Sequence, residues 1–420
     1  MPRTLVPPRR WVVATGVLVI TAVAYVDRVN LSVATPVLIK EFGTTAAVLG
    51  LVLSSFTWTY TLCSIPAGLV VDRIRIRVIF PVILALWGVA SLLTATARSV
   101  GGIIAPRLLL GVGEAPFAPA SIKTLSTWLP QRERGLGSSM FISGVALGSA
   151  VGPPGLAYLV SVHGWQSAFV ATGVLSLVIA VVWAVLYRAP RPEEDHSAPS
   201  PQESGVPATA PWRPLLRSRN VWFLVGGYFC LLYILYTFVS WLPGYLVADR
   251  GFTLLGSGFS TSLPWACAFV VGLLGGRLSD RLMRRGVAPL AARKVVLVSG
   301  MVAALTIVGA AVVDSAAGAI VFLCISTSGI VFANGAVWAA AQDIVHDLGI
   351  TGSASGYVNF WGNVGGILGP IVTGVLATAT STFLVPLVVA GAIALVGALL
   401  WGLGLRTVRT AVPAPATVTG

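Results

Sequence analysis
The sequence predicts an all-α integral membrane protein of twelve transmembrane helices, arranged as two six-helix halves that repeat one another. Three observations predict it. Of 420 residues, 56% are hydrophobic and 10% charged, with a mean hydropathy of +0.89. Soluble globular chains carry roughly 25% charge, so a water-soluble fold of this size could not cover its surface. The apolar residues come in runs, among them 11–26, 78–95, 168–186 and 295–313, near the length that crosses ~30 Å of hydrocarbon as a helix. Short motifs also recur in order in the two parts of the chain. Within lipid each backbone N–H and C=O must be satisfied inside its own segment, so the runs read as helices and not as strands.

The elements follow in order. The first span is expected over 11–35. Arg9 and Arg10 precede it in the manner of a signal peptide, but the run is too long and continues through Asp27 without a clear cleavage site. The second and third spans, 46–71 and 77–97, are joined through GLVVDR at 68–73. The fourth, 100–122, carries Arg107 and Glu114. The fifth, 134–160, holds Gly144, Gly148 and Gly152 ahead of Pro153, and the sixth, 165–187, ends an N-terminal half of 1–187. Residues 188–219, rich in Pro, Ser and charge, cannot bury apolar surface and read as a linker. The seventh and eighth spans, 220–248 and 255–279, lead into GRLSDR at 276–281. The ninth and tenth are expected over 294–313 and 317–341. The eleventh, 352–378, holds Gly362, Gly366 and Gly369 ahead of Pro370; the twelfth, 382–405, completes a C-terminal half of 220–410 with a tail at 411–420. The loop motifs stand 208 residues apart and the glycine–proline runs 217. One six-helix unit therefore occurs twice in the same orientation, the plan of transporters that rock two halves about a midplane site.

The net charge of +13 follows this topology. Of the 27 basic residues, 22 fall in the termini or in alternate loops: Arg3, Arg9, Arg10, Arg73, Arg75, Arg77, Lys123, Arg132, Arg134, five between Arg188 and Arg219, six between Arg277 and Lys294, Arg406 and Arg409. The opposite loops hold Lys40, Arg98 and Arg250. That asymmetry puts both termini in the cytoplasm of a multi-pass cell-membrane protein, and it gives no nucleic-acid face. Cys63, Cys230, Cys267 and Cys324 are scattered singly, without metal or disulfide spacing. His163, His196 and His346 fall in loops or at helix ends, so no histidine relay is suggested. With no nucleotide-binding loop, metal-ligand cluster or nucleophile–base set in the spans, the chain is not expected to be an enzyme, an ATP-driven pump or a cofactor protein.

Four ionisable groups lie at membrane depth: Asp27, Arg28, Arg107 and Glu114. A charge there costs at least ~2.5–3.5 kcal/mol, so each needs a partner or a function. Arg107 and Glu114, seven residues apart, share one helix face about 10 Å apart along the axis. Structural ion pairing is one reading and function the other. The four charges sum to zero, so an incoming carboxylate leaves the cavity negative in a poor dielectric. Protonating Asp27 or Glu114 restores neutrality and frees an arginine for bidentate contact with the anion, a physical route to proton–anion symport. Tyr25, Asn359 and Asn363 are neutral candidates for substrate hydroxyls; the two asparagines share a face of a glycine-rich helix, where interhelical bonding is the alternative. Trp241 either lines the cavity or packs between helices. Asp72, Arg73, Asp280 and Arg281 sit at helix ends, either as snorkelling charge or as a gate.

The twice-occurring G-x-x-x-D-R loop resembles the gating motif of the major facilitator superfamily. YVDRVNLSVATPVL, PRLLLGVGEAPFAPA, STWLPQRERGLGSSM, GGRLSDRLMRRG and GYVNFWGNVGGILGP resemble its anion:cation symporter family, across nearly the whole chain outside the linker and termini. The resemblance implies a major facilitator fold and a proton-coupled symporter importing an organic anion, a sugar acid or an aromatic carboxylate. It implies Asp27 and Glu114 as proton carriers, Arg28 and Arg107 as anion ligands, and a cytoplasmic gate at Asp72, Arg73, Asp280 and Arg281. The expected partners are the anion, protons and the bilayer, with a functional monomer. The chain departs from the pattern at Arg75, where the first loop usually has Gly, and at Gln166, where Gly-Trp-Arg is common. GSAVGPPG, at 148–155, resembles an antiporter motif and makes proton-driven export the alternative. A non-transporting sensor is a second alternative, one that would call for an added signalling domain.

Overall fold
A computed structural model of the chain describes residues 9–130, 133–191, 216–345 and 351–406. Most of the linker, including His196, lies outside the described residues, as do His346, the 411–420 tail and the Asp72 side chain. The rest is helical, and twelve helical segments are long and apolar enough to cross a membrane. In order they are Arg9–Glu41, Ala46–Arg73, Ile76–Ala95, Val100–Trp128, Arg134–His163, Trp165–Leu186, Arg219–Ala248, Leu254–Arg284, Pro289–Val312, Ala316–Val345, Thr351–Thr380 and Leu384–Gly404. Four of them begin on a hydroxyl cap: Thr45 accepts from the Val48 N–H, Ser99 from Gly102, Thr253 from Gly256 and Ser315 from Gly318, satisfying donors the helix leaves orphaned.

Two spans are not continuous. The fourth breaks into Val100–Glu114 and Phe117–Trp128, because Pro116 brings no N–H to the ladder. The ninth breaks into Pro289–Ala304 and Ile307–Val312, where the Thr306 hydroxyl donates to the Ala303 carbonyl at 2.7 Å and the Phe322 carbonyl at 3.2 Å. The first helix runs past the expected 35 to Glu41 with Pro36 inside it, a break that packed neighbours make tolerable within a membrane.

The sequence repeat is a packing repeat. The first span lies along the fifth, the second along the fourth and the third along the sixth. The second half repeats this: seventh along eleventh, eighth along tenth, ninth along twelfth. The halves join through the second against the eleventh and the fifth against the eighth, one contact made twice. The glycine–proline runs serve the first pairing. A Cβ on Gly144 or Gly148 would stand 2.5 and 2.2 Å from the Leu18 and Ala22 carbonyls of the first span. A Cβ on Gly365 or Gly369 would stand 2.2 and 2.4 Å from the Phe229 and Tyr233 carbonyls of the seventh. Glycine lets these backbones touch, as small residues do between lipid-embedded helices.

Arg9 and Arg406 lie at one end of the bundle, here the terminal end; the opposite end is the far end. Three hydrogen bonds that join the halves are displaced toward the far end. Ser32 donates to the Ser240 carbonyl at 2.7 Å, the Ala47 N–H to Thr378 at 2.8 Å and Ser262 to the Ala150 carbonyl at 2.5 Å. Beside them lies a cavity of about 450 Å³ lined by residues of both halves, including Lys40, Trp241 and Asp249.

Candidate functional site
The fourth span is placed by Gly111, midway between its two charges. A Cβ there would stand 2.3 Å from the Phe56 carbonyl and 2.2 Å from the Thr59 hydroxyl, and Thr59 ties the contact by donating to the Leu108 carbonyl at 2.7 Å. This close approach sets Arg107 and Glu114 against Phe56 and Tyr60 of the second span. The first span supplies Tyr25, Asp27 and Arg28 from the other side.

Arg28 and Glu114 form the ion pair. Both Nε and Nη2 of Arg28 reach Glu114 Oε2 at 2.7 Å, a charge-assisted geometry, and the Glu114 side chain is 0% exposed. The guanidinium is also ringed by aromatics, 4.8 Å from the Tyr25 ring centre, 5.1 Å from Phe56 and 5.2 Å from Tyr60, and ring faces attract cations. Tyr236, from the seventh span in the other half, stands within electrostatic range of Arg28. The cluster therefore faces the interface between the halves.

Arg107 is unlike Arg28. It is 3% exposed and lies 5.3 Å from the Phe56 ring centre, but its Nε and Nη1 are buried with no hydrogen-bond partner among the described residues. Glu114 Oε1 is likewise buried and unpartnered. Leaving a buried charged group unsatisfied costs more than leaving a neutral one. One group here lacks an acceptor and the other lacks a donor.

Asp27 stands apart from the ion pair. Its carboxylate accepts from Ser91 of the third span at 3.2 Å and Ser176 of the sixth at 3.3 Å. One turn on, Asn30 donates to Thr172 of the sixth span at 3.1 Å. Consecutive residues of a helix point about 100° apart, so Asp27 faces the interior of its own half while Arg28 faces the other half.

The remaining candidates divide. The Asn363 amide donates to the Asn359 carbonyl at 2.9 Å and side-chain oxygen at 3.1 Å, so this amide group bonds within its own helix. Trp241 is buried; its indole donates to the Pro370 carbonyl at 3.0 Å and its ring packs on Phe383. It stands with the far-end cavity and not with the charges. At the terminal end Arg73 and Arg281 are exposed. Asp280 lies 3.7 Å from Arg293, which also lies 3.6 Å from Asp343 and donates to Ser279 at 2.7 Å. That network ties the eighth, ninth and tenth spans of one half. Lys123 makes an analogous tie in the other, donating to the Val71 carbonyl at the end of the second span at 2.7 Å. Sequence reasoning missed Phe56, Tyr60, Ser91, Ser176, Tyr236, Arg293 and Asp343. Arg293 carried a signal, a cation twelve residues beyond the repeated loop; the neutral residues carried none.

Comparison with known proteins adds an independent line. The chain matches the family model of the Major Facilitator Superfamily over residues 17–370. It is 31% identical over 408 residues to the D-galactonate transporter of Escherichia coli O6:H1, covering 93% of this chain and 94% of that one. It is 33% identical over 388 residues to a probable sulfoacetate transporter of Cupriavidus necator, covering 90% and 89%, and 30% identical over 398 residues to the hexuronate transporter of Bacillus subtilis, covering 93% of each. Among solved structures, a bacterial homologue of the human lysosomal transporter Spinster, inward-facing and occupied, aligns with a TM-score of 0.80 at 18% identity, covering 96% of this chain and 98% of that one.

Proposed function
Because the chain belongs to the Major Facilitator Superfamily, we propose that it is a proton-coupled symporter that imports a small organic anion by alternating access. The observation that carries this is the buried Arg107 guanidinium, with two nitrogens unpartnered among the described residues, two turns along the same helix from a buried Glu114 oxygen that is also unpartnered. A carboxylate or other oxyanion satisfies the first and a proton the second. When Glu114 takes the proton, its hold on Arg28 weakens, and both guanidiniums turn to one anion. The cluster then keeps its charge balance through the crossing, as a low-dielectric path requires. Asp27, held by two serine hydroxyls outside the ion pair, is the second proton carrier in this reading.

The substrate class rests on the relatives named for galactonate, hexuronate and sulfoacetate, all acids of a few carbons. Tyr25, Tyr60 and Tyr236, gathered about Arg28, suit hydroxyl-bearing or aromatic bodies. The basic-residue asymmetry makes the terminal end cytoplasmic, so the conformation, joined at the far end, is closed to the outside. Export is the weaker reading: Gly148 and Gly152 of GSAVGPPG pack against the first span and need no antiport role. Uptake by proteoliposomes from a panel of labelled acids, with and without a pH gradient, tests the proposal. Accumulation driven by an alkaline interior is expected; uptake indifferent to the gradient overturns proton coupling.

A further inference from the structure
At the terminal end of the N-terminal half, a cavity of about 310 Å³ opens between the first and sixth spans. Arg9, Val12 and Val13 line one side, Val185, Leu186 and Arg188 the other, with Trp128 and Tyr187 among the remaining lining residues. The aromatic residues are held in place: Trp128 donates to the Tyr187 hydroxyl at 3.1 Å, and Tyr187 stacks on Trp183 with ring centres 4.9 Å apart. No carboxylate lines the cavity, and the nearby Glu133 is engaged by Arg10 at 3.1 Å. The rim is apolar and open, with Val12 57%, Val185 69% and Leu186 71% exposed.

We infer that this groove is a binding site for an anionic phospholipid, its phosphate between Arg9 and Arg188 and its acyl chains along Val12, Val185 and Leu186. The rim residues belong to membrane spans, so acyl chain is what covers them, and a phospholipid carries its phosphate at the headgroup level where such spans end. Aromatic side chains occupy the same headgroup level. Two guanidiniums without an acid among the lining residues favour a headgroup of net negative charge, since a zwitterionic one brings its own cation. Basic pockets between spans take anionic headgroups on this principle. The inference is independent of transport.

Native mass spectrometry of the full chain in detergent, titrated with phosphatidylglycerol or phosphatidylcholine, tests it. Preferential retention of phosphatidylglycerol is expected. Each arginine contributes about fivefold, so Arg9→Gln with Arg188→Gln lowers that affinity roughly thirtyfold, and each single variant lowers it by less. Arg284→Gln with Arg285→Gln, the same charge change in the other half, leaves it unaltered. Equal loss in that control, or equal retention of both lipids, overturns the inference. Displacement of the lipid by excess inorganic phosphate also overturns it, because the site would then read phosphate alone. So does retention that appears only after Glu193, Glu194 and Asp195 are neutralised, because the linker would then be the occupant.

Discussion
Arg107 and Glu114 are two turns apart on one helix, and neither side chain has all its buried polar atoms met by the described residues. A hydrogen bond to a charged group contributes about 1.5–3 kcal/mol, so Arg107→Ala is expected to weaken anion binding on the order of tenfold to a hundredfold, read by binding calorimetry. Glu114→Gln holds the site in the shape of its protonated form. It is expected to retain binding and counterflow exchange while losing accumulation against a gradient. If Glu114→Gln and Asp27→Asn both still accumulate substrate in response to a pH difference, the coupling assignment is wrong and the acids are structural. All four charges were legible in the sequence, because charge at membrane depth is too costly to be incidental. Their surroundings were not. Ser91 and Ser176 are hydroxyls of a kind common in spans, Phe56 and Tyr60 are rings like any other, and only the approach of four helices makes them partners.

Between helices, glycine decides the geometry. A Cβ on Gly111 would stand 2.3 Å from the Phe56 carbonyl of the second span, whereas one on Gly155 would meet open space. Gly111→Ala is therefore expected to push the fourth span off the second and carry Arg107 and Glu114 with it. Overpacking of this kind costs typically ~1–3 kcal/mol, so the melting temperature in detergent should fall and anion binding weaken together. Gly155→Ala is expected to lower neither, because its Cβ meets open space and alanine is the better helix former. Equal effects at the two positions would separate glycine spacing from the site. The glycine–proline runs were legible as a repeat, and their packing role follows from it. The breaks in the fourth and ninth spans were not foreseen. An alanine–proline step inside an apolar run reads the same whether the helix kinks or restarts, and Thr306 ends a helical piece through a bond to a neighbouring span that local sequence does not contain.

At the scale of the molecule, the repeat makes each half a body with its own internal ties. Arg293 binds the eighth, ninth and tenth spans together, and Lys123 binds the fourth to the end of the second. The expected gate residue Asp280 pairs within its half here, so the loop motif marks where each half is braced as well as where it turns. The halves meet through interchangeable contacts, second on eleventh and fifth on eighth, and rocking about such a pair exposes the midplane to either end in turn. In the proposed alternating-access cycle, the far-end contact between Ala47 and Thr378, 2.8 Å from amide to hydroxyl, parts at every turnover. Ala47→Cys with Thr378→Cys is expected to stop transport on oxidation and regain it on reduction, while anion binding from the terminal end persists. The unsubstituted chain under the same oxidant controls for Cys63, Cys230, Cys267 and Cys324. Transport that continues through the oxidised pair would mean that the far end need not open there. The joint between the second and eleventh spans would then be a fixed hinge, and the moving seam would lie between the fifth and eighth, where Ser262 bonds the Ala150 carbonyl.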